Sequence, residues 1–164
     1  MRAGRWTERN ACYHLIANVK NKRPQLHGEF AEFLCEQLLR LPELCNFHLL
    51  AFVVMPEHVH VIGQMEGTLT VSEVMGRWKR FTGRELNRRL DRRGAFWQAG
   101  FYDHRIRSET ELAELVEYVH LNPVTNELVA RPVQWRYSSL RLTYLERLTG
   151  WERLGYSRPC WSGL

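Results

Sequence analysis

The chain has 164 residues, 45% hydrophobic and 25% charged, with a formal net charge of +5. That length suits one domain with its own core and excludes the large eight-stranded barrels, which need roughly 200 residues or more. No apolar run approaches the roughly 18 residues of a membrane span, and Met1-Arg2-Ala3-Gly4-Arg5-Trp6 lacks the apolar stretch of a signal peptide. A cytoplasmic protein is expected, with Cys12, Cys35, Cys45 and Cys160 as free thiols, since none shows C-x-x-C spacing.

In chain order, residues 12–19 read as a strand, followed by a polar turn through Asn21, Lys22, Arg23 and Pro24. Phe30, Phe33, Leu34, Leu38 and Leu41 recur at helical spacing, which predicts a helix over 29–40 stopped by Pro42. Residues 47–55 form a mostly apolar run that fits a buried strand; Pro56 and Glu57 turn the chain, and residues 58–62 return as a second strand. Val71, Val74, Met75 and Trp78 mark an amphipathic helix that runs through a basic segment to Gly94. Residues 97–106 read as extended. Ser108 to Glu111 has the S-x-x-E form of a capping box, so a last long helix should start there and end near Asn122, ahead of Pro123.

The order β-α-β-β-α-β-α matches a ferredoxin-like split βαβ, an α+β fold whose antiparallel sheet carries helices on one face, plus a C-terminal helix. Residues 145–164 hold Trp151, Tyr156, Cys160 and Trp161 with little periodicity and read as a tail, either a packed cover or a mobile end.

Three features carry chemistry. His58 and His60 lie two residues apart on a predicted strand, so their imidazoles share a face and suit a divalent metal, although such a pair equally fits simple packing. Residues 77–93 hold eight basic side chains against Glu85 and Asp91, so this segment alone exceeds the net charge of the whole chain. Charge concentrated this way suits a polyanion, most often nucleic acid. Arg77, Lys79, Arg80 and Arg84, with Arg105 further on, are the candidate phosphate contacts, and Trp97, Phe101 and Tyr102 are candidates for stacking on unpaired bases.

The third feature is the last helix. On a helical wheel with Leu112 at zero, Leu115, Val116 and Val119 fall within about 60° and form the buried stripe. Tyr118 (near 240°) and Asn122 (near 280°) are neighbours on one flank, whereas His120 lies about 160° from Tyr118 and cannot easily serve the same site. A tyrosine in that position fits a core residue with a surface hydroxyl. It also fits a nucleophile beside a metal that polarises a phosphodiester, with the Asn122 amide oxygen as third ligand.

Val54-Met55-Pro56-Glu57-His58-Val59-His60 together with Tyr118-Val119-His120-Leu121-Asn122-Pro123-Val124 resembles the REP-associated tyrosine transposases, a branch of the single-tyrosine HUH transposases. Phe96-Trp97-Gln98, Phe101-Tyr102-Asp103 with Ile106-Arg107, and Trp135-Arg136-Tyr137-Ser138-Ser139 extend the likeness over most of the chain. The resemblance implies that residues 1–144 form an HUH transposase domain. It implies His58, His60 and Asn122 as ligands of Mg²⁺ or Mn²⁺, and Tyr118 as a nucleophile that forms a 5′-phosphotyrosine bond. The implied partner is single-stranded DNA carrying hairpin-forming palindromic repeats, in a nucleoid-associated bacterial setting, with the protein acting as a monomer or a dimer. Two positions depart from the family pattern: Glu57 stands where many relatives have Asn, and Thr125-Asn126-Glu127 replaces a basic-small-Gly run. Two other readings are a metal hydrolase, which the short chain disfavours, and a ferredoxin-like nucleic-acid-binding module without catalysis, in which His58 and His60 merely pack.

Overall fold

A computed structural model describes residues 7–23 and 25–155. Strands β1 (Cys12–Asn18), β2 (Phe47–Val54), β3 (His58–Met65) and β4 (Tyr102–Ile106) form one sheet in the order β2-β3-β1-β4, with every neighbouring pair antiparallel. Helices α1 (Glu29–Leu39) and α3 (Val71–Arg89) fill the two crossovers, giving the split βαβ arrangement expected from the element order. A short helix α2 (Leu41–Cys45) leads into β2. Among the described residues, no helix is long and apolar enough to cross a membrane.

The two faces of the sheet do different work. Leu15, Ala17, Val59 and Val61 are buried on one face, where Phe52 packs against Tyr144 (ring centroids 5.9 Å) and Tyr144 shares a hydrogen bond with Cys35 of α1. The other face is covered at its β2 and β3 side by α4 (Glu109–Thr125). The free edge of β2 is sealed by residues 135–139. Val54 N–H donates to the Tyr137 carbonyl (2.8 Å), Phe52 N–H to Ser139 Oγ (2.9 Å), and the Trp135 indole to the Val54 carbonyl (2.9 Å). Sealing matters because an open edge is a template for pairing with another chain.

Several boundaries differ from the sequence reading, each for a local reason. Helix α1 ends at Leu39, and Pro42 sits in the first turn of α2 instead of closing α1, a position where its missing N–H costs nothing. Helix α3 ends at Arg89, short of Gly94, because Asp91 adopts a left-handed φ of 47° and Arg92 N–H closes back on the Asn87 carbonyl (2.8 Å). Of the extended stretch 97–106 only Tyr102–Ile106 is strand. Trp97 makes a single bridge to Val19, and Gly100 (φ 72°) turns the chain between them. β3 runs on to Met65, three residues past the expected end.

Helix α4 continues through Pro123 to Thr125, one turn past Asn122. Pro123 is buried there, and Asn126 N–H donates to the Asn122 carbonyl (3.0 Å), so packing and the closing turn hold a helix that local preference would end. The expected capping box is half formed: Ser108 Oγ accepts from Glu111 N–H (3.1 Å), but the Glu111 carboxylate takes the Arg107 N–H (2.6 Å).

After α4 come two short helices, α5 (Leu142–Leu145) and α6 (Gly150–Arg153). Within the expected tail, Leu148 and Trp151 are buried, and the Trp151 indole donates to the carbonyl of Leu50 (2.9 Å), the residue at the register shift of β2. The tail as far as residue 155 is therefore a packed cover. Tyr156, Cys160 and Trp161 lie outside the described residues, as do residues 1–6. Cys12, Cys35 and Cys45 are free thiols, as their spacing predicts.

His120 is buried, with Nε2 2.8 Å from Ser139 Oγ. Burial holds this imidazole well below its ordinary value of 6.5, at about 3. Above pH 6.5 the ring is neutral in both folded and unfolded chains. As pH falls from 6.5 towards 3 the unfolded chain takes up a proton that the native ring refuses, so stability is lost across that window. In urea unfolding at stepped pH, His120→Gln is expected to lose less stability than the parent below pH 6.5, by up to about 1.4 kcal/mol per pH unit. Equal acid slopes would contradict a neutral buried ring.

Candidate active site

Strand alternation places His58, His60, Ile62 and Gln64 of β3 on the face that meets α4, with Val59 and Val61 behind them in the core. The β2–β3 turn that presents His58 is fixed at three points. Met55 N–H donates to the His58 carbonyl (2.8 Å), Val19 N–H to the Glu57 carbonyl (2.8 Å) and Leu26 N–H to the Pro56 carbonyl (2.9 Å). The two imidazoles lie edge to face, ring centroids 4.7 Å apart.

Each ring has a partner at Nδ1. His58 Nδ1 lies 3.1 Å from Glu57 Oε1. His60 Nδ1 lies 3.0 Å from Nε2 of His14, whose ring stacks on that of His60 at 5.2 Å. His14 reaches it from β1 because the antiparallel register pairs His14 with Ile62 and Ile16 with His60, making the two histidines diagonal neighbours on one face. Burial first, then the neighbouring imidazoles, pushes His60 down to about 2; burial, then His104, pushes His14 down to about 4. Both rings are therefore neutral lone-pair donors or acceptors at physiological pH.

Helix α4 brings Tyr118 to this face. Its ring stands edge-on to His60 (5.7 Å between centroids) and to His14 (6.3 Å), and the side chain is 51% exposed. A phenol packed against buried imidazoles yet half open to solvent can meet a large substrate. Asn122 follows one turn later and is buried, its amide oxygen accepting from Asn126 Nδ2 (3.1 Å). His120 points elsewhere, to Ser139, as the helical wheel requires.

Among the described residues no cluster of three or more His, Cys, Asp or Glu forms a metal cage. The residue types fit a hard divalent ion that keeps several outer ligands: His58 and His60 are each engaged at Nδ1, so an ion would meet them at Nε2, and Asn122 would offer the amide oxygen that here accepts from Asn126.

Sequence reasoning missed His14, although its place two residues from Cys12 and from Ile16 on an alternating strand was the available signal. It also missed the pair His104 Nε2 and Glu111 Oε1 (2.6 Å), which ties β4 to the first turn of α4. Tyr102, beside His14 at 6.1 Å, is 52% exposed on the same face.

The basic helix divides into engaged and unengaged charges. Lys79 Nζ donates to the Gln98 carbonyl (2.7 Å) and to that of Gly100, so it clamps the loop before β4 and is not a freely presented phosphate contact. Arg88 and Arg89 both bond Glu85, Arg92 bonds Gln25, and Arg105 pairs with Glu8 (2.7 Å). Arg77 is exposed, with Glu73 as an electrostatic neighbour. Arg80, Arg84 and Arg93 make no ion pair among the described residues. They line a cavity of about 730 Å³ with Lys79, Arg88 and Arg92, and no acidic side chain lines it. Trp97, expected as a stacking surface, is only 5% exposed. Its indole donates to Thr82 Oγ1 (3.0 Å) and its ring packs on Trp78, so its contacts are those of a core residue.

Residues 7–122 match the family model for IS200-like transposases. An Escherichia coli K12 protein named REP-associated tyrosine transposase is 26% identical over 139 residues, covering 82% of this chain and 79% of that one. A solved structure described as a REP-associated tyrosine transposase bound to a REP hairpin superimposes with a TM-score of 0.72 at 23% identity, covering 90% of this chain and 87% of that one. A crystal structure from Deinococcus radiodurans R1 gives 0.53 at 22% identity, over 73% and 95% of the two chains. With its matching segment spanning all four strands and α4 as far as Asn122, the chain belongs to the IS200-like transposase family and is similar, within it, to REP-associated tyrosine transposases.

Proposed function

We propose that this protein is a REP-associated tyrosine transposase, a cytoplasmic enzyme that nicks and rejoins single-stranded DNA at hairpin-forming repeats through a 5′-phosphotyrosine intermediate. The observation that carries the reading is Tyr118, half exposed and packed edge-on at 5.7 Å against the ring of His60. The similarity to a protein whose structure holds a REP hairpin supports the choice of ligand.

His58, His60 and Asn122 would hold Mg²⁺ or Mn²⁺. When bound, such an ion supplies Lewis-acid polarisation of the scissile phosphate. The phenol oxygen of Tyr118 attacks phosphorus in line and loses its proton; the bond from phosphorus to the 3′-oxygen breaks, and that oxygen leaves as a 3′-hydroxyl after gaining a proton. A second 3′-hydroxyl reverses these steps and joins a new strand. Phosphodiester energy is kept in the tyrosyl ester, so no nucleotide cofactor is required. Arg77, Arg80, Arg84 and Arg93 neutralise backbone phosphates, with Arg105 able to join by releasing Glu8.

With labelled single-stranded hairpin DNA and Mn²⁺, denaturing gels are expected to show a covalent protein–DNA species that Tyr118→Phe reduces at least about a hundredfold. Cleavage by Tyr118→Phe at the parental rate would assign another nucleophile. Binding without cleavage by either protein would favour the non-catalytic module.

Arginine variants separate phosphate contacts from structural ones. In anisotropy titrations against salt, Arg80→Gln and Arg84→Gln should each lower the slope of log K on log salt by about 0.7, the value for one phosphate on a single strand. An unchanged slope in both would remove the cavity of basic residues from the interface. Lys79→Met should act mainly on thermal stability, because it releases the Gln98 and Gly100 carbonyls.

A further inference from the structure

The proposed metal site has two side chains behind it that no ligand assignment uses. His58 Nδ1 meets Glu57 Oε1 at 3.1 Å, and His60 Nδ1 meets His14 Nε2 at 3.0 Å. Ring nitrogens are not interchangeable: the atom that binds an outer partner fixes which one keeps its lone pair. A carboxylate can only accept, so the Glu57 bond places the proton of neutral His58 on Nδ1 and the lone pair on Nε2. The His14–His60 bond is between two neutral imidazoles, of which one donates. With His60 as donor from Nδ1, its Nε2 is likewise left bare, and His14 carries its own proton on Nδ1.

We propose that Glu57 and His14 are positioning residues that lock His58 and His60 as Nε2 ligands, an assignment that rests on the metal-dependent reading above. The two locks differ in kind. Glu57 sits on the turn beside its ligand, one peptide away, and brings a negative charge close to the ion. His14 sits on a neighbouring strand, buried, and its hold depends on the β1–β3 register. Outer partners of this sort raise ligand basicity and fix ring orientation, and their removal typically weakens metal binding about 10–100-fold.

Two measurements on the full chain test the assignment. In long-range ¹H–¹⁵N spectra of the metal-free protein, His58 and His60 should both show protonated Nδ1 and bare Nε2. Glu57→Ala should turn His58 into a tautomer mixture and His14→Phe should do the same to His60, each leaving the other ring unchanged. In Mn²⁺ titrations followed by electron paramagnetic resonance, both variants should bind about 10–100-fold more weakly than the parent, with Glu57→Gln in between because it keeps an acceptor and loses the charge. If the parent binds Mn²⁺ and Glu57→Ala binds within about twofold of it with the His58 tautomer unmoved, the inference is overturned while the transposase reading stands. If the parent takes up no Mn²⁺, the metal-dependent reading itself falls, and the purpose given to both residues falls with it. Should His14→Phe fail to fold, Glu57→Ala decides the half-buried Glu57 lock, and His14→Gln, which keeps a polar side chain beside His60, takes its place in both measurements for the other.

Discussion

The antiparallel register of β1 on β3 is the constraint on which the candidate site depends. It aligns His14 with Ile62 and Ile16 with His60, so that the two imidazoles meet diagonally at hydrogen-bond distance. That register is set from behind. Leu15, Ala17, Val59 and Val61 are buried on the reverse face, and a slip of one residue would turn them out and turn the histidines in. Burying His14 and His60 costs little because both stay neutral and each gives the other a partner. Hydrophobic burial on one side thus positions polar chemistry on the other.

The same division explains how a small domain can leave a reactive face accessible. One face of the sheet is closed by α1 and the segment that carries Tyr144, and the β2 edge is closed by residues 135–139. On the second face, α4 packs mainly over β2 and β3, and the start of β4 stays open, with Tyr102 half exposed while Ile106 at its far end is buried. Tyr118 stands on the helix that covers one half and looks towards the other. A polyanion strand approaching over the start of β4 would therefore meet Tyr102 and then Tyr118, with His14 buried between them. The His104–Glu111 contact ties β4 to the N-terminal turn of α4, so the phenol-bearing helix is anchored at both the sheet and its own cap.

Much of this was legible in the residues, and the failures share a cause. Alternation in His58-Val59-His60 gave the shared face, and the helical wheel separated His120 from Tyr118; both rest on periodicities that tertiary contacts do not alter. Local preference would end the last helix ahead of Pro123, whereas Pro123 is buried and the helix runs one turn further. Lys79 and Trp97 looked like ligand contacts because composition records what a side chain can do and not what is already bonded to it. One is spent on two carbonyls and the other on Thr82 and Trp78. His14 escaped notice because its significance lies in a pairing across 46 residues, which no local pattern announces.

The charge pattern shows the same distinction between inventory and availability. Eight basic side chains in residues 77–93 suggested one continuous polyanion surface. In the fold, Glu85 holds Arg88 and Arg89, and Phe33 lies beneath the Arg89 guanidinium at 4.4 Å, so part of the charge holds α1 to α3. Exposed ion pairs of this kind contribute little stability each, and a phosphate can compete for them at modest cost. Arg80, Arg84 and Arg93 need no such exchange, since they face solvent without an acidic partner among the described residues. A backbone phosphate would therefore find these three first, and the paired arginines would add their contacts only as the longer ligand displaced Glu85. Affinity built in that order would grow with the length of polyanion bound and weaken with salt.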